Sequence, residues 1–200
     1  MKKIELIVPD IDGMLLHSAK FSEAFPKKFG VSAEAVGEMF AEDFEDCKLG
    51  KKDLREAIEA RLSSWGTDAS VDDVLKFWFG LDNPEQDVID FLKDLRQKGV
   101  KIVLGTNQEK YRLEHILKSL RFIDWTDGVV ASCDIGIKKP APEFYQEILN
   151  RFPEMDKSAV LIFDDKEENI QALRGMGFNA EVYENLDSLK QLFIDKYEIK

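Results

Sequence analysis

Ile4-Glu5-Leu6-Ile7-Val8-Pro9-Asp10-Ile11-Asp12-Gly13 is the stretch that decides the fold of this chain. The apolar run from Ile4 to Val8 reads as a buried strand that ends on two carboxylates and a glycine. In a parallel α/β sheet, ligands bind beyond the carboxyl ends of the strands, so the two acids stand where chemistry is usually done. Alternate strand residues share a face, which lets Asp10 and Asp12 point to one side. Gly13 permits a tight turn and close backbone approach to a ligand. One carboxylate could then serve as nucleophile or metal ligand and the other as acid and base. Asp-x-Asp-Gly would also serve as a simple strand-to-loop turn with solvated carboxylates.

Working outward, residues 84–200 alternate strand and helix. Pro84 suits the first turn of a helix through Lys98, closed by Gly99. Strands are expected at Val100–Gly105, Gly128–Ser132, Ala159–Phe163 and, at an edge, Ala180–Tyr183. Helices are expected from Gln108 to Leu120, Pro142 to Phe152, after Phe163 to Met176, and Leu186 to Lys196. With the first strand this makes an α/β fold, a parallel sheet flanked by helices. Residues 15–83 read differently. Phe21, Phe25 and Phe29 fall at helical spacing, as do Val36, Met39, Phe40 and Phe44, then Leu54, Ile58 and Leu62, then Val74, Leu75, Trp78 and Phe79. Pro26 is expected to kink or delay the first of these helices. Gly30, Gly50 and Gly66 separate the segments. The aromatics are expected to form the core of an all-helical insert.

The chain has 200 residues, 44% hydrophobic and 34% charged, which fits a soluble globular protein. No apolar run approaches the roughly 18 residues of a membrane span. Met1-Lys2-Lys3-Ile4 lacks the features of a signal peptide, and the two cysteines make neither a disulfide framework nor a metal-spacing motif. A reducing cytoplasm is expected. The net charge of −11 disfavours nucleic acid and anionic membrane as partners. It also means that an anionic substrate would need a metal ion and local lysines to invert the field. A monomer or weak homodimer is expected.

Three more segments place chemistry at strand ends or helix starts. Thr106-Asn107 follows the second core strand and could cap a helix or bind phosphate. Lys138-Lys139-Pro140 offers an ammonium for a phosphate and a carboxylate. Asp164-Asp165 ends the third strong strand and could cap a helix or hold a hard cation.

The ordered series Asp10-Ile11-Asp12-Gly13, Thr106-Asn107, Lys139-Pro140 and Asp164-Asp165, with a helical insert after the first, resembles the haloacid dehalogenase (HAD) superfamily over essentially the whole chain. The insert matches subclass I of that superfamily, with its helical C1 cap. Thr106-Asn107-Gln108-Glu109 and Gly136-Ile137-Lys138-Lys139-Pro140 look like the sugar-phosphatase subgroup. The resemblance implies a Rossmann-like catalytic core of residues 1–14 and 84–200 and a cap of residues 15–83 that closes over the site. It implies a Mg²⁺-dependent phosphatase for a small phosphorylated metabolite. Asp10 would be the nucleophile that forms an aspartyl phosphate, and Asp12 the acid and then the base. Mg²⁺ would take Asp10, the Asp12 carbonyl and Asp165, with Asp164 acting through water. Thr106, Asn107 and the amides near Gly13 would hold phosphoryl oxygens, and Lys139 would pair with them and with Asp10. The loop Cys47–Lys51 is expected to reach the leaving group, with Lys48 as candidate substrate contact against an ordinary exposed lysine.

Pro9 and Met14 depart from the family pattern, the first removing an amide donor from the strand. A dehalogenase or phosphonate hydrolase is disfavoured by Asp12, since a halide needs no general acid. A phosphomutase stays open. A non-catalytic binding protein on the same fold is disfavoured by the intact set of acids, threonine and lysine.

Overall fold

The computed structural model describes residues 1–199. Its strands are β1 (Lys2–Ile4), β2 (Leu6–Pro9), β3 (Leu16–Ser18), β4 (Asp82–Pro84), β5 (Lys101–Thr106), β6 (Gly128–Ala131), β7 (Val160–Asp164), β8 (Asn179–Val182) and β9 (Tyr197–Ile199). Five of them form a parallel sheet in the order β6-β5-β2-β7-β8, with β2 at the centre. Residues on β2, β5 and β7 are buried almost throughout, as expected of parallel strands covered on both faces. Their alternation feeds two separate cores. Ile7, Ile102, Leu104, Leu161 and Phe163 pack on one face against Val88, Leu92, Ile116 and Leu189. Leu6, Val8, Val103, Val160 and Ile162 pack on the other against Phe144, Ile148, Ile170 and Leu173. Burying each such aliphatic side chain contributes about 1.5–3 kcal/mol.

The first strand departs from expectation. The run Ile4 to Val8 is split: β1 leaves the sheet and pairs in parallel with β9, with Lys2 beside Tyr197. Only Ile4 of that segment is buried, and Lys2 and Lys3 face solvent, so it lacks the two-sided apolar character of a central strand. Pro9 sits inside the central strand, where a proline is rarely accommodated. β2 pairs with β7 as far as Pro9–Phe163, but its register with β5 stops at Ile7–Ile102. The Asp10 N–H donates to Phe163 O at 2.9 Å. Amide directions alternate along a strand, so the missing N–H of Pro9 faces β5, where the ladder has already ended.

The insert contains helices Phe21–Phe29, Ala33–Met39, Leu54–Trp65 and Val71–Phe79, with a short turn Glu45–Lys48. Pro26 lies inside the first helix without ending it. Ser32 caps the second helix and Asp53 that at Leu54, while Ser70 and Asp73 form a capping box on the last. Phe21, Phe25, Val36, Met39, Ile58, Trp65, Val74 and Trp78 are buried together in a third core. Phe21 stacks on Trp78 at 4.5 Å and on Phe25 at 4.8 Å. The insert is not helical at its base: β3 and β4 pair antiparallel, with Leu16 opposite Pro84. Pro84 therefore closes a strand, and the following helix begins at Gln86.

The helix expected from Gln108 begins at Lys110, capped by Glu109, and passes into a wider π turn at His115–Ser119. No helix among the described residues is long and apolar enough to cross a membrane.

Candidate active site

Because β5, β2 and β7 are neighbours, Thr106, Asp10 and Asp164 emerge side by side at their carboxyl ends. Thr106 and Asp10 line a cavity of about 150 Å³ together with Asp12, Gly13, Asn107, Lys139 and Asp165, so seven of the nine expected site residues meet there, while Asp164 lies behind the wall, bonded to Lys139. Lys166 and Asn169 complete its wall.

Lys139 is the electrostatic centre. Its ammonium lies 2.8 Å from Asp10 Oδ1 and 2.8 Å from Asp164 Oδ2, with its side chain 3% exposed. Burial opposes its charge, but Asp10 and Asp164 outweigh burial and raise its pKa. Burial pushes the Asp10 carboxyl up to about 6, against the opposing pull of Lys139. Asp10 Oδ1 also accepts from the Ile11 N–H at 2.7 Å, which fixes the carboxylate plane. Oδ2 takes no hydrogen bond from the described residues.

Asp164 is saturated. Oδ2 takes Lys139, while Oδ1 accepts from Lys166 N–H at 3.0 Å and from Asn169 Nδ2 at 2.9 Å. Burial pushes its carboxyl up, but Lys139 and these donors hold it below the usual range. Asp165 is exposed, and burial and then Asp164 raise its pKa. Oxygens of Asp10, Asp164 and Asp165 lie within 4.8 Å of one another, a donor set of hard carboxylates that fits Mg²⁺ or a similar cation.

Asn107 neither caps the following helix nor points freely into the cavity. Its Nδ2 donates to Lys139 O at 3.1 Å, and its Oδ1 accepts from Lys139 N–H at 2.8 Å. It clamps the lysine's backbone, while Thr106, buried at the end of β5, stays on the cavity wall.

Glu109 caps the helix by accepting from Tyr111 N–H at 2.9 Å and from Arg112 N–H. Burial nevertheless pushes its carboxyl from 4.5 up to about 7. A raised carboxyl contributes stability below its unfolded value and loses it as pH climbs through the folded one. Glu109→Gln should therefore gain on the wild type in melting temperature between pH 4.5 and pH 7.5, by at most about 3 kcal/mol in free energy. A stability difference that does not change with pH would contradict this.

Lys48 is the expected residue that lies elsewhere. Its ammonium pairs with Glu45 at 2.5 Å and its carbonyl accepts from Ser132 Oγ at 2.6 Å. It does not line the cavity around Asp10. Its loop instead seals insert to core. Lys138 pairs with Glu45 and Tyr111 OH donates to Asp53 Oδ2 at 2.7 Å. A Cβ on Gly50 would sit 2.3 Å from Cys133 O. Burial pushes the Cys47 thiol up to about 11 and the Cys133 thiol up to about 12, so neither is a ready nucleophile. His17 is exposed, 3.7 Å from Glu85, and His115 stacks on Phe79.

Sequence reading missed the group around Asp12. Gln108 Nε2 donates to Asp12 Oδ2 at 3.1 Å, and Arg112 reaches both carboxylate oxygens, at 2.7 and 3.0 Å. Gln108 precedes the helix cap and Arg112 lies inside the helix, so no helical spacing links the two and nothing local marked them as partners of Asp12.

A phosphorylated-carbohydrates phosphatase from Thermotoga maritima is 24% identical over 184 residues, covering 87% of this chain and 82% of its own. A sesquiterpene phosphatase from Aspergillus oryzae is 27% identical over 140 residues, 68% of each chain. A HAD family enzyme from Bacteroides thetaiotaomicron, solved with magnesium and inorganic phosphate, superposes with a TM-score of 0.78 at 18% identity, covering 93% of this chain and 98% of its own. The model of the haloacid dehalogenase-like hydrolases matches residues 4–177. With that match over most of its length, and the fold to go with it, the chain belongs to the haloacid dehalogenase-like hydrolases.

Proposed function

We propose that this protein is a Mg²⁺-dependent phosphatase that hydrolyses a small phosphorylated metabolite, a sugar phosphate or a compound of similar size, through an aspartyl phosphate on Asp10. The observation that carries this reading is Lys139, buried between Asp10 and Asp164 in a cavity that also holds Asp12, Thr106 and Asp165. The names of the two phosphatase relatives support it.

Asp10 attacks phosphorus, a new P–O bond forms to its carboxylate, and the bond to the leaving oxygen breaks. Asp12 gives its proton to that oxygen. Asp12 then takes a proton from water as the water attacks the aspartyl phosphate, which restores Asp10 and releases phosphate. Lys139 offsets the charge of Asp10 and of the phosphoryl group, and Thr106 holds a phosphoryl oxygen. Mg²⁺ would be held by Asp10, Asp165 and the Asp12 backbone carbonyl, with Asp164 acting through water, and would supply neutralisation of phosphoryl charge. Residues 15–83 act as a cap on a core of residues 1–14 and 84–200, excluding water from the site.

Phosphate release from a panel of phosphorylated sugars, nucleotides and small acids tests the reading. Mg²⁺-dependent release abolished by EDTA is expected. Halide release from 2-haloacids without phosphate release from any member would overturn it.

Gly13 offers a second check. Its φ is +82°, and a Cβ there would lie 2.4 Å from Asp165 Oδ2. Gly13→Ala should displace that carboxylate and weaken Mg²⁺ binding by about tenfold or more, measured by calorimetric titration. Unaltered affinity would remove Asp165 from the proposed ligand set.

A further inference from the structure

Arg112 makes an unusual set of bonds for a helix residue. Its Nη1 donates to Asp12 Oδ2 at 3.0 Å and its Nη2 to Asp12 Oδ1 at 2.7 Å. On its other edge, Nε donates to Asp82 Oδ2 at 3.1 Å and Nη2 to Asp82 Oδ1 at 2.7 Å. Nη2 also reaches Ser18 Oγ at 3.1 Å, and Ser18 Oγ donates to Asp82 Oδ1 at 2.5 Å. The Arg112 side chain is 9% exposed and that of Asp82 1%, whereas Asp12 is 47% exposed. A buried guanidinium thus grips a buried carboxylate on one side and a cavity-facing carboxylate on the other. Ser18 and Asp82 lie opposite each other on β3 and β4, the strands through which the chain enters and leaves the insert.

We propose that Arg112 is the positioning residue for proton transfer: its fork fixes the Asp12 carboxylate and ties it to the β3–β4 ribbon. The inference rests on the reading of Asp12 as acid and base. A carboxylate oxygen has two principal acceptor directions, and a planar two-pronged donor fixes both oxygens at once. Asp12 Oδ2 is taken by Arg112 Nη1 and by Gln108 Nε2 at 3.1 Å. Among the described residues, Oδ1 takes Arg112 Nη2 alone. Oδ1 is therefore the atom with room to carry the proton to the leaving oxygen and to accept one from water. Lysine at position 112 would supply charge but no fork. The contact with Asp82 anchors the guanidinium, so a disturbed ribbon also disturbs the acid.

The test uses the dependence on leaving group. An alkoxide leaves only if protonated, whereas p-nitrophenolate leaves without help. The ratio kcat/KM reports the step that breaks the bond to the leaving group, before water attacks. Arg112→Gln should lower kcat/KM for an alkyl phosphate by about 10²-fold or more. The loss for p-nitrophenyl phosphate should be at least about tenfold smaller, because that step draws less on the acid. Arg112→Lys should recover less than half of the logarithmic loss. Asp82→Asn, close in shape and without contact to Asp12, should give the same selectivity with a smaller loss and serves if Arg112→Gln does not fold. Equal losses on both substrates, or none on either, in a folded variant would overturn the assignment while leaving the phosphatase reading in place. A wild type inactive on both substrates with Mg²⁺ would overturn that reading and this assignment with it.

Discussion

Asp10→Asn is expected to lower turnover by at least about 10⁴-fold while raising the melting temperature of the metal-free protein. The two effects have one origin. Asp10, Asp164 and Asp165 crowd three carboxylates within 4.8 Å, and Lys139 is the ammonium that pairs with the first two. That arrangement suits a cation and a phosphoryl group but leaves excess negative charge when neither is bound. Asparagine keeps the shape and an oxygen for the Ile11 N–H, while removing one charge and the nucleophile together. Relief of repulsion should stabilise the metal-free fold by about 1–2 kcal/mol. Mg²⁺ should then reverse the order, because a ligand stabilises the form that binds it in proportion to the logarithm of its concentration over Kd. Thermal melts with and without Mg²⁺, beside phosphate-release assays, check both halves. A variant that is inactive but less stable without metal would mean that Asp10 holds the fold as well as doing chemistry.

Lys139→Met should move stability the other way. Methionine fills much of the space but leaves Asp10 and Asp164 buried without their shared cation. Breaking a buried pair by deleting one partner costs about 3–5 kcal/mol, since the charge left behind is uncompensated. Turnover should fall by about 10³-fold, the scale for losing one preorganised charge at a reacting centre. The double variant Asp10→Asn with Lys139→Met should recover part of the lost stability, because one stranded carboxylate is gone. Denaturant melts of the four proteins close the cycle. Additive effects would show that Asp10 and Lys139 do not sense one another, against their 2.8 Å separation.

The parts of this molecule that were legible in the sequence are those written locally. Val160 to Phe163 and Ile102 to Leu104 are uninterrupted apolar runs, and a strand buried on both faces needs nothing else to be read. The meeting of Asp10, Asp12, Thr106, Asn107, Lys139, Asp164 and Asp165 was legible because each stands at or near the end of a strand or the start of a helical unit. Asp82, by contrast, pairs with Ser18 across 64 residues, and strands of three residues carry no periodicity to announce the pairing. Pro84 then looked like a helix start because proline suits both places. Arg112 carries no local signal, because its two carboxylates lie 100 and 30 residues away. Glu109 was read only as part of Thr106-Asn107-Gln108-Glu109, since its burial comes from tertiary packing. Lys48 was placed by loop position alone, and its pairing with Glu45 three residues back turns it from the cavity.

The most direct test of the central claim is to trap the covalent intermediate. Wild-type protein with Mg²⁺ and its best phosphorylated substrate would be quenched in acid within a turnover, then reduced with borohydride and digested. An acyl phosphate is reduced to an alcohol where a free carboxylate is not, so homoserine should replace aspartate at position 10 in the peptide containing Pro9 and Ile11. Rapid phosphate release with unmodified Asp10, or with the modification at another carboxylate, would contradict the account.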